Sequence, residues 1–368
     1  APLVAAGTLT ASTGFEDAAT ADALIICVPT PLRKSKEPDI SFILSAMEHL
    51  LPRLRRGQLL VLESTTFPGT TEEVVQPRLE SLGFAIGTDY FLAFSPERVD
   101  PGNRRFTTAN IPKVVGGVTR ACTELAAALY RHVTSSVFEA SSTRVAETAK
   151  LLENTFRSVN IALANELAFA CRKIGVDPWE VIDAAATKPF GFMPFYPGPG
   201  IGGHCIPVDP LYLSWKIRLT GYEAQFIALA DQINRAMPEH VVTLVGEALN
   251  DRARAVRGAS VLVLGVTYKP DVNDIRESPA LEIMEMLARK GARISYADPF
   301  TPQLTVDGHK LSAVEPSREA LAAADCVLIL TNHSAFDYAA IAEHSALVVD
   351  TRNALKAHRR GRPSIVTL

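Results

Sequence analysis

The sequence predicts an α/β protein: two Rossmann-like, doubly wound domains joined by a central helical region. Three observations carry this reading. Short apolar runs alternate with helical stretches up to about residue 118, residues from about 140 to 255 read as mostly helical, and the α/β rhythm resumes at Ala259. The expected domains are 1–118, 119–255 and 256–368. At 368 residues the chain is too long for one small core.

Each element has its own signal. Residues 23–28 read as a buried parallel strand and 40–54 as a helix that stops before Gly57. Residues 58–62 are the next strand and 69–80 the next helix, with Thr70 or Thr71 able to cap it. In the middle region Leu152, Phe156, Val159, Leu163 and Leu167 form an apolar stripe at helical spacing. A second long helix spans 223–250, with Pro238 as a possible kink. Strands follow at 261–264, 293–297, 326–330 and 346–349, with a helix at 279–289. A dinucleotide-binding domain should carry a glycine-rich turn after its first strand, with an acidic residue about 20 positions on. Neither stands in the sequence, so the N-terminal domain is expected to be truncated, with Ala1 falling partway into it.

Composition excludes several classes. A net charge of -3, with no basic stripe, argues against a nucleic-acid partner. The apolar runs are far too short to span a bilayer, and no secretory pattern opens the chain. The five cysteines (Cys27, Cys122, Cys171, Cys205 and Cys326) are scattered and lack CxxC spacing, which argues for a reducing compartment and against a disulfide framework or a metal site.

Four stretches carry chemistry. Pro197 to Pro210 reads PGPGIGGHCIPVDP, in which the glycines let backbone approach a ligand closely. Cys205 there is either a nucleophile or an incidental cysteine in a flexible loop, and Asp209 could poise a water or a proton. His204 is adjacent to Cys205, and adjacent residues rarely face each other. On the helix beginning near Thr143, Glu147, Lys150 and Asn154 share one face. That face is either solvated or supplies charge and a donor to an oxyanion. Glu63-Ser-Thr65 and Ser95-Pro-Glu97 end strands at the edge where parallel sheets bind ligands. Ser64 and Thr65 could equally cap a helix, and Glu97 could be a surface ion-pair residue. Gly265-Val-Thr-Tyr-Lys269, then Arg276-Glu-Ser278 before a helix, suit a mononucleotide diphosphate, with Lys269 on a phosphate and Arg352 as a further anion contact.

Together these stretches resemble the UDP-glucose/UDP-N-acetyl-hexosamine 6-dehydrogenase family. The resemblance runs from about residue 23 to 353. It rests on Cys27-Val-Pro-Thr-Pro31, Glu63-Ser-Thr65, Ser95-Pro-Glu97, Glu147-x-x-Lys150-x-x-x-Asn154, Asn165-Glu166, Gly202-Gly-His-Cys205-x-x-x-Asp209, Gly265-x-x-x-Lys269 and Arg276-Glu-Ser278. His204 and Val208, with the preceding Lys188 to Tyr196, resemble the N-acetyl-hexosamine branch, and within it the UDP-N-acetylglucosamine enzymes. The resemblance implies that Cys205 is the nucleophile and that Lys150 and Asn154 stabilise an oxyanion at C6. It implies that Asp209, Thr65 and Glu97 hold water or relay protons. Val28, Pro29, Thr30, Glu63, Thr65 and Arg276 are implied NAD contacts. Gly202, Lys269 and Arg352, with Lys150 and Asn154, are implied contacts of the UDP-sugar. It also implies a cytoplasmic homodimer assembled through the central helices. The rival readings are the same reaction on UDP-glucose, a two-electron alcohol dehydrogenase, and a non-catalytic nucleotide-sugar sensor.

Overall fold

A computed structural model of the chain describes residues 2–100, 102, 103 and 105–368; Ala1, Pro101 and Arg104 lie outside the described residues. The elements, in chain order, are α1 (Pro2–Ala5), β1 (Ala23–Ile26), α2 (Ser41–Leu50), β2 (Leu59–Leu62), α3 (Gln76–Glu80), β3 (Phe91–Phe94), β4 (Lys113–Gly117), α4 (Arg120–Tyr130) and β5 (Val137–Glu139). Then come α5 (Thr143–Ile174), α6 (Pro178–Ala186), α7 (Asp209–Arg218), α8 (Gln225–Asn250), β6 (Ser260–Leu264), α9 (Pro279–Arg289), β7 (Arg293–Ala297), β8 (Gln303–Val306) and β9 (His309–Ser312). The chain closes with α10 (Arg318–Ala323), β10 (Cys326–Ile329), α11 (Tyr338–His344), β11 (Val348–Asp350) and β12 (Ile365–Thr367). It divides into two compact units: residues 1–153 with 211–222, and residues 154–210 with 223–368.

The first unit holds a sheet in the order β1-β2-β3-β4-β5. Strand β2 is buried on both faces, as a continuous apolar run requires. Leu60 and Leu62 pack with Ile43, Met47 and Leu79 on one side, while Leu59 and Val61 meet Ala126 and Tyr130 on the other. The expected parallel sheet needs one correction, because β4 runs antiparallel to β3, with Phe94 opposite Gly116. Among the described residues no helix crosses over between β3 and β4, and a connection without a crossover returns the chain antiparallel. The step carries Lys113, the first residue of β4, to the edge where β2 and β3 end.

The second unit holds the sheet β12-β11-β10-β6-β7, parallel throughout. The period-two alternation is visible here as well. Val261, Val263, Cys326 and Leu328 join the core that α8 and α9 cover, while Leu262, Leu264, Val327 and Ile329 join the core under α10 and α11. Ser278 caps α9, accepting from the Ala280 N–H at 3.3 Å, and Pro279 occupies its first position. Helix α8 runs through the buried Pro238. A hairpin, β8–β9, turns at Asp307 and Gly308, both at positive φ.

Helix α5 reverses the expected polarity. Leu152 and Leu163 are each 61% exposed and Phe156 is 45% exposed. The inward face carries Glu147, Lys150, Leu151, Asn154, Ser158, Ala162, Asn165 and Ala168, all buried. Small side chains let neighbouring elements approach this face, and its amides and its carboxylate meet partners inside the protein. A solvated polar face is therefore ruled out.

Candidate active site

At the carboxyl edge of the first sheet, Ser64 splints the turn after β1. Its hydroxyl accepts from the Val28 N–H and donates to the Val28 carbonyl, each at 2.8 Å. Pro29 is left exposed and Thr30 and Thr65 half-buried. Glu63 is held from three sides: Lys113 Nζ lies at 2.8 Å, the Tyr130 hydroxyl donates at 2.6 Å, and the Cys27 thiol donates at 3.3 Å. Burial opposes ionisation of Glu63, but Lys113 and Tyr130 together hold its carboxyl below the usual range. Glu97 accepts from its own chain, from the Arg98 N–H at 2.8 Å and the Val99 N–H at 2.5 Å, with Lys113 Nζ 3.7 Å away. Sequence reasoning missed Lys113 and Tyr130. A lysine directly before the apolar run Val114-Val115 was the available signal.

The expected threonine cap on the helix after Gly69 is replaced by a longer-range one. The Glu147 carboxylate accepts from the Gly69 N–H at 2.6 Å, the Thr71 N–H at 2.9 Å and the Thr71 hydroxyl at 2.7 Å, while Thr70 donates to the Phe67 carbonyl. Burial still raises the Glu147 pKa despite these donors. Lys150 is buried on the same face of α5, one turn further on.

In the second unit the glycine-rich loop closes on α5. Asn154 Nδ2 donates to Asp209 Oδ2 at 2.5 Å, and both residues are buried. The Cys205 carbonyl accepts from the N–H groups of Val208 (3.1 Å) and Asp209 (2.8 Å), which sets Cys205 against the amino end of α7. Cys205 itself is exposed. The glycines are dictated by crowding as well as by φ. A Cβ on Gly202 would lie 2.7 Å from the Glu277 carbonyl and from Tyr268 Cβ, and Gly203 has a φ of +84°. His204 Nε2 lies 3.9 Å from the Asp274 carboxylate. Arg276 forks onto the same Asp274 carboxylate at 2.9 and 2.8 Å.

The four remaining cysteines differ in burial and in their surroundings. Cys122, Cys171 and Cys326 are buried, and burial pushes the Cys326 thiol up to about 12. Cys27 is exposed, yet partial burial and the Glu63 carboxylate push its thiol up to about 11.

Two crossing loops meet at the carboxyl edge of the second sheet. Gly265 sits at a φ of +80°, where a Cβ would stand 2.3 Å from the Thr331 carbonyl. The loop after it is pinned by His333, fully buried, whose Nδ1 accepts from the Asp271 N–H at 3.0 Å and whose Nε2 lies 3.0 Å from Asp298 Oδ2. That pattern assigns His333 as the neutral Nε2–H tautomer. The Lys269 carbonyl accepts from Thr267. Arg352 donates from Nε to the Leu330 carbonyl at 2.8 Å and lies against Gly198; its burial pulls its pKa down to about 10.

Comparison with known proteins agrees with both units. Residues 2–134 match the NAD binding domain of the UDP-glucose/GDP-mannose dehydrogenase family, 144–236 its central domain and 262–357 its UDP binding domain. The chain is 38% identical over 302 residues to a UDP-N-acetyl-D-glucosamine 6-dehydrogenase of Pseudomonas aeruginosa, covering 82% of this chain and 71% of that one. It is 36% identical over 367 residues to an NDP-N-acetyl-D-galactosaminuronic acid dehydrogenase of Ralstonia solanacearum, covering 97% and 84%. A solved UDP-D-ManNAc dehydrogenase of Pyrococcus horikoshii superposes with a TM-score of 0.89 at 32% identity, covering all of this chain and 85% of that one. The chain therefore belongs to the UDP-glucose/GDP-mannose dehydrogenase family and is an NAD-dependent UDP-sugar dehydrogenase.

Proposed function

We propose that this enzyme oxidises the C6 hydroxyl of a UDP-N-acetyl-hexosamine, UDP-N-acetylglucosamine foremost, through four electrons to the uronate, by way of a covalent adduct on Cys205. The observation that carries the covalent route is the exposed Cys205, joined through its carbonyl to the N–H of Asp209, whose carboxylate is bound by Asn154. The N-acetyl-hexosamine class is supported by His204 and Val208 in the glycine loop and by the Pseudomonas aeruginosa relative.

When bound, NAD supplies the hydride acceptor for each oxidation. Val28, Pro29 and Thr30 would hold it, and the fit rests on the splinted turn that leaves Pro29 exposed at the ligand edge of a parallel sheet. In this reading Thr65 completes that edge. Glu63 and Arg276, the other contacts the resemblance implies, each already make an ion pair, with Lys113 and with Asp274.

The Cys205 thiolate attacks the C6 aldehyde, forming a C–S bond as the carbonyl oxygen becomes an oxyanion. The Cys205 backbone is tied to the amino end of α7 through its carbonyl. The Asn154 amide donates to the oxyanion, and Lys150, one turn earlier on α5, keeps the cationic role that the family resemblance implies. One such donor is commonly worth about 10²–10³ in rate. Loss of a second hydride turns the adduct into a thioester. Asp209 orients the water that cleaves the C–S bond and returns the thiolate, with Thr65 and Glu97 as proton relays. Gly202, Lys269 and Arg352 contact the UDP-sugar. The enzyme works as a cytoplasmic homodimer: Leu152, Phe156 and Leu163 offer an exposed apolar stripe on α5, and five free thiols suit a reducing compartment.

The test is NADH yield against UDP-GlcNAc, UDP-GalNAc, UDP-ManNAc and UDP-glucose. Two NADH per sugar consumed, with the highest kcat/KM on UDP-GlcNAc, is expected. One NADH per sugar overturns the covalent route, and preference for UDP-glucose overturns the substrate.

A further inference from the structure

Asn165 belongs to a motif, Asn165-Glu166, to which the chemistry above gives no task. Its side chain is fully buried, and its two polar atoms are both used. Oδ1 accepts from the Gly198 N–H at 3.0 Å, and Nδ2 donates to Asn234 Oδ1 at 2.9 Å. Asn234, on α8 and also buried, donates onward from Nδ2 to the Ser158 carbonyl at 3.1 Å. The bonds run in one direction, from Gly198 through two amides to the backbone of α5. A side-chain amide can accept through its oxygen and donate through its nitrogen at once, as each of these two does.

We propose that Asn165 and Asn234 are positioning residues that fix the glycine loop for catalysis, an inference that rests on the reading of Cys205 as the nucleophile. The loop is gripped by α5 at both ends. Asn165 holds it at Gly198, and Asn154 holds it at Asp209. The two anchors are eleven residues apart on one helix, about 16 Å along its axis. Cys205 hangs between them. The grip at Gly198 also sets the loop against a second group, since a Cβ there would lie 2.7 Å from an Arg352 guanidinium nitrogen. Gly198 is buried, so its N–H has no recourse to bulk water if the Asn165 oxygen is removed. The relay thereby converts the rigidity of the α5–α8 pair into a defined height for the cysteine.

The test uses the full chain with Asn165→Ala, Asn234→Ala and the double variant. Each single variant is expected to lose about tenfold to a hundredfold in kcat, the scale on which displacing a reacting group by about 1 Å acts. KM for the UDP-sugar is expected to move far less than kcat. The double variant is expected to cost no more than the worse single one, because the links act in series. Hydrogen exchange at the Gly198 amide is expected to be slow in the parent and faster in every variant. Parental kcat in a folded single variant overturns the relay. So does a parent Gly198 amide that exchanges as fast as the exposed Gly191, and this measurement decides the matter if the variants do not fold. A parent without UDP-sugar turnover defeats the proposed function instead and leaves the exchange data to judge the relay.

Discussion

Asn154 Nδ2 donates to Asp209 Oδ2 at 2.5 Å, and this buried bond joins helix α5 to the first turn of α7, four residues past Cys205. If Asp209 orients the hydrolytic water, Asp209→Asn should release a burst of NADH and then stall as the thioester accumulates. Stopped-flow absorbance reads the burst directly. A uniformly slow trace without a burst would place Asp209 before the thioester step.

Cys205 and Cys27 are both exposed but should differ in reactivity. The Cys27 thiol, pushed up to about 11, stays protonated at pH 8 and resists alkylation. Iodoacetamide at pH 8, followed by peptide mapping, should label Cys205 first and abolish activity in step. Cys205→Ser should retain the fold and lose uronate formation. Early labelling of Cys27 would contradict the assignment.

The Glu63–Lys113 pair predicts acid sensitivity. Glu63 titrates below its unfolded value, so its stabilisation is complete above that value, about 4.3, and is lost as pH falls through the folded one. Glu63→Gln breaks a nearly buried pair and should cost about 3 kcal/mol at neutral pH. Urea midpoints measured from pH 7 to pH 3 should show the gap between parent and variant closing in acid.

Gly202→Ala should destabilise by about 1–3 kcal/mol, because its Cβ meets backbone at the Glu277 carbonyl as well as Tyr268 and Pro279. Thermal unfolding reads this loss, and activity should fall further than stability because the same loop carries Cys205. An unchanged midpoint would mean the loop can shift freely.

Leu152→Asp with Phe156→Asp should convert a dimer into monomers, read by light scattering on a sizing column. If the parent is itself a monomer at micromolar concentration, the apolar stripe on α5 serves another purpose.

Much of this protein was legible in local pattern. Apolar runs at 58–62 and 261–264 marked strands, and the structure buries β2 and β6 on both faces because helices cover both sides, whereas β1, read as buried, leaves Ile25 47% exposed. Ser278-Pro279 marked the start of α9 through capping chemistry that acts within one turn. The dense glycines around Cys205 marked a backbone that must pass close to its neighbours, as Gly202 and Gly203 do against Tyr268. What the tertiary structure decided was the partnering of polar groups far apart in the chain. The antiparallel step at β4 set Lys113 on Glu63, the inward turn of α5 gave Glu147 to Gly69 and Thr71, and Asn165 found Asn234 and Gly198. Periodicity reports which face of an element is apolar, and on α5 the apolar stripe is the exposed one. A buried amide or carboxylate is stabilised only by a specific donor or acceptor at hydrogen-bond distance, and that match exists only once the chain has folded.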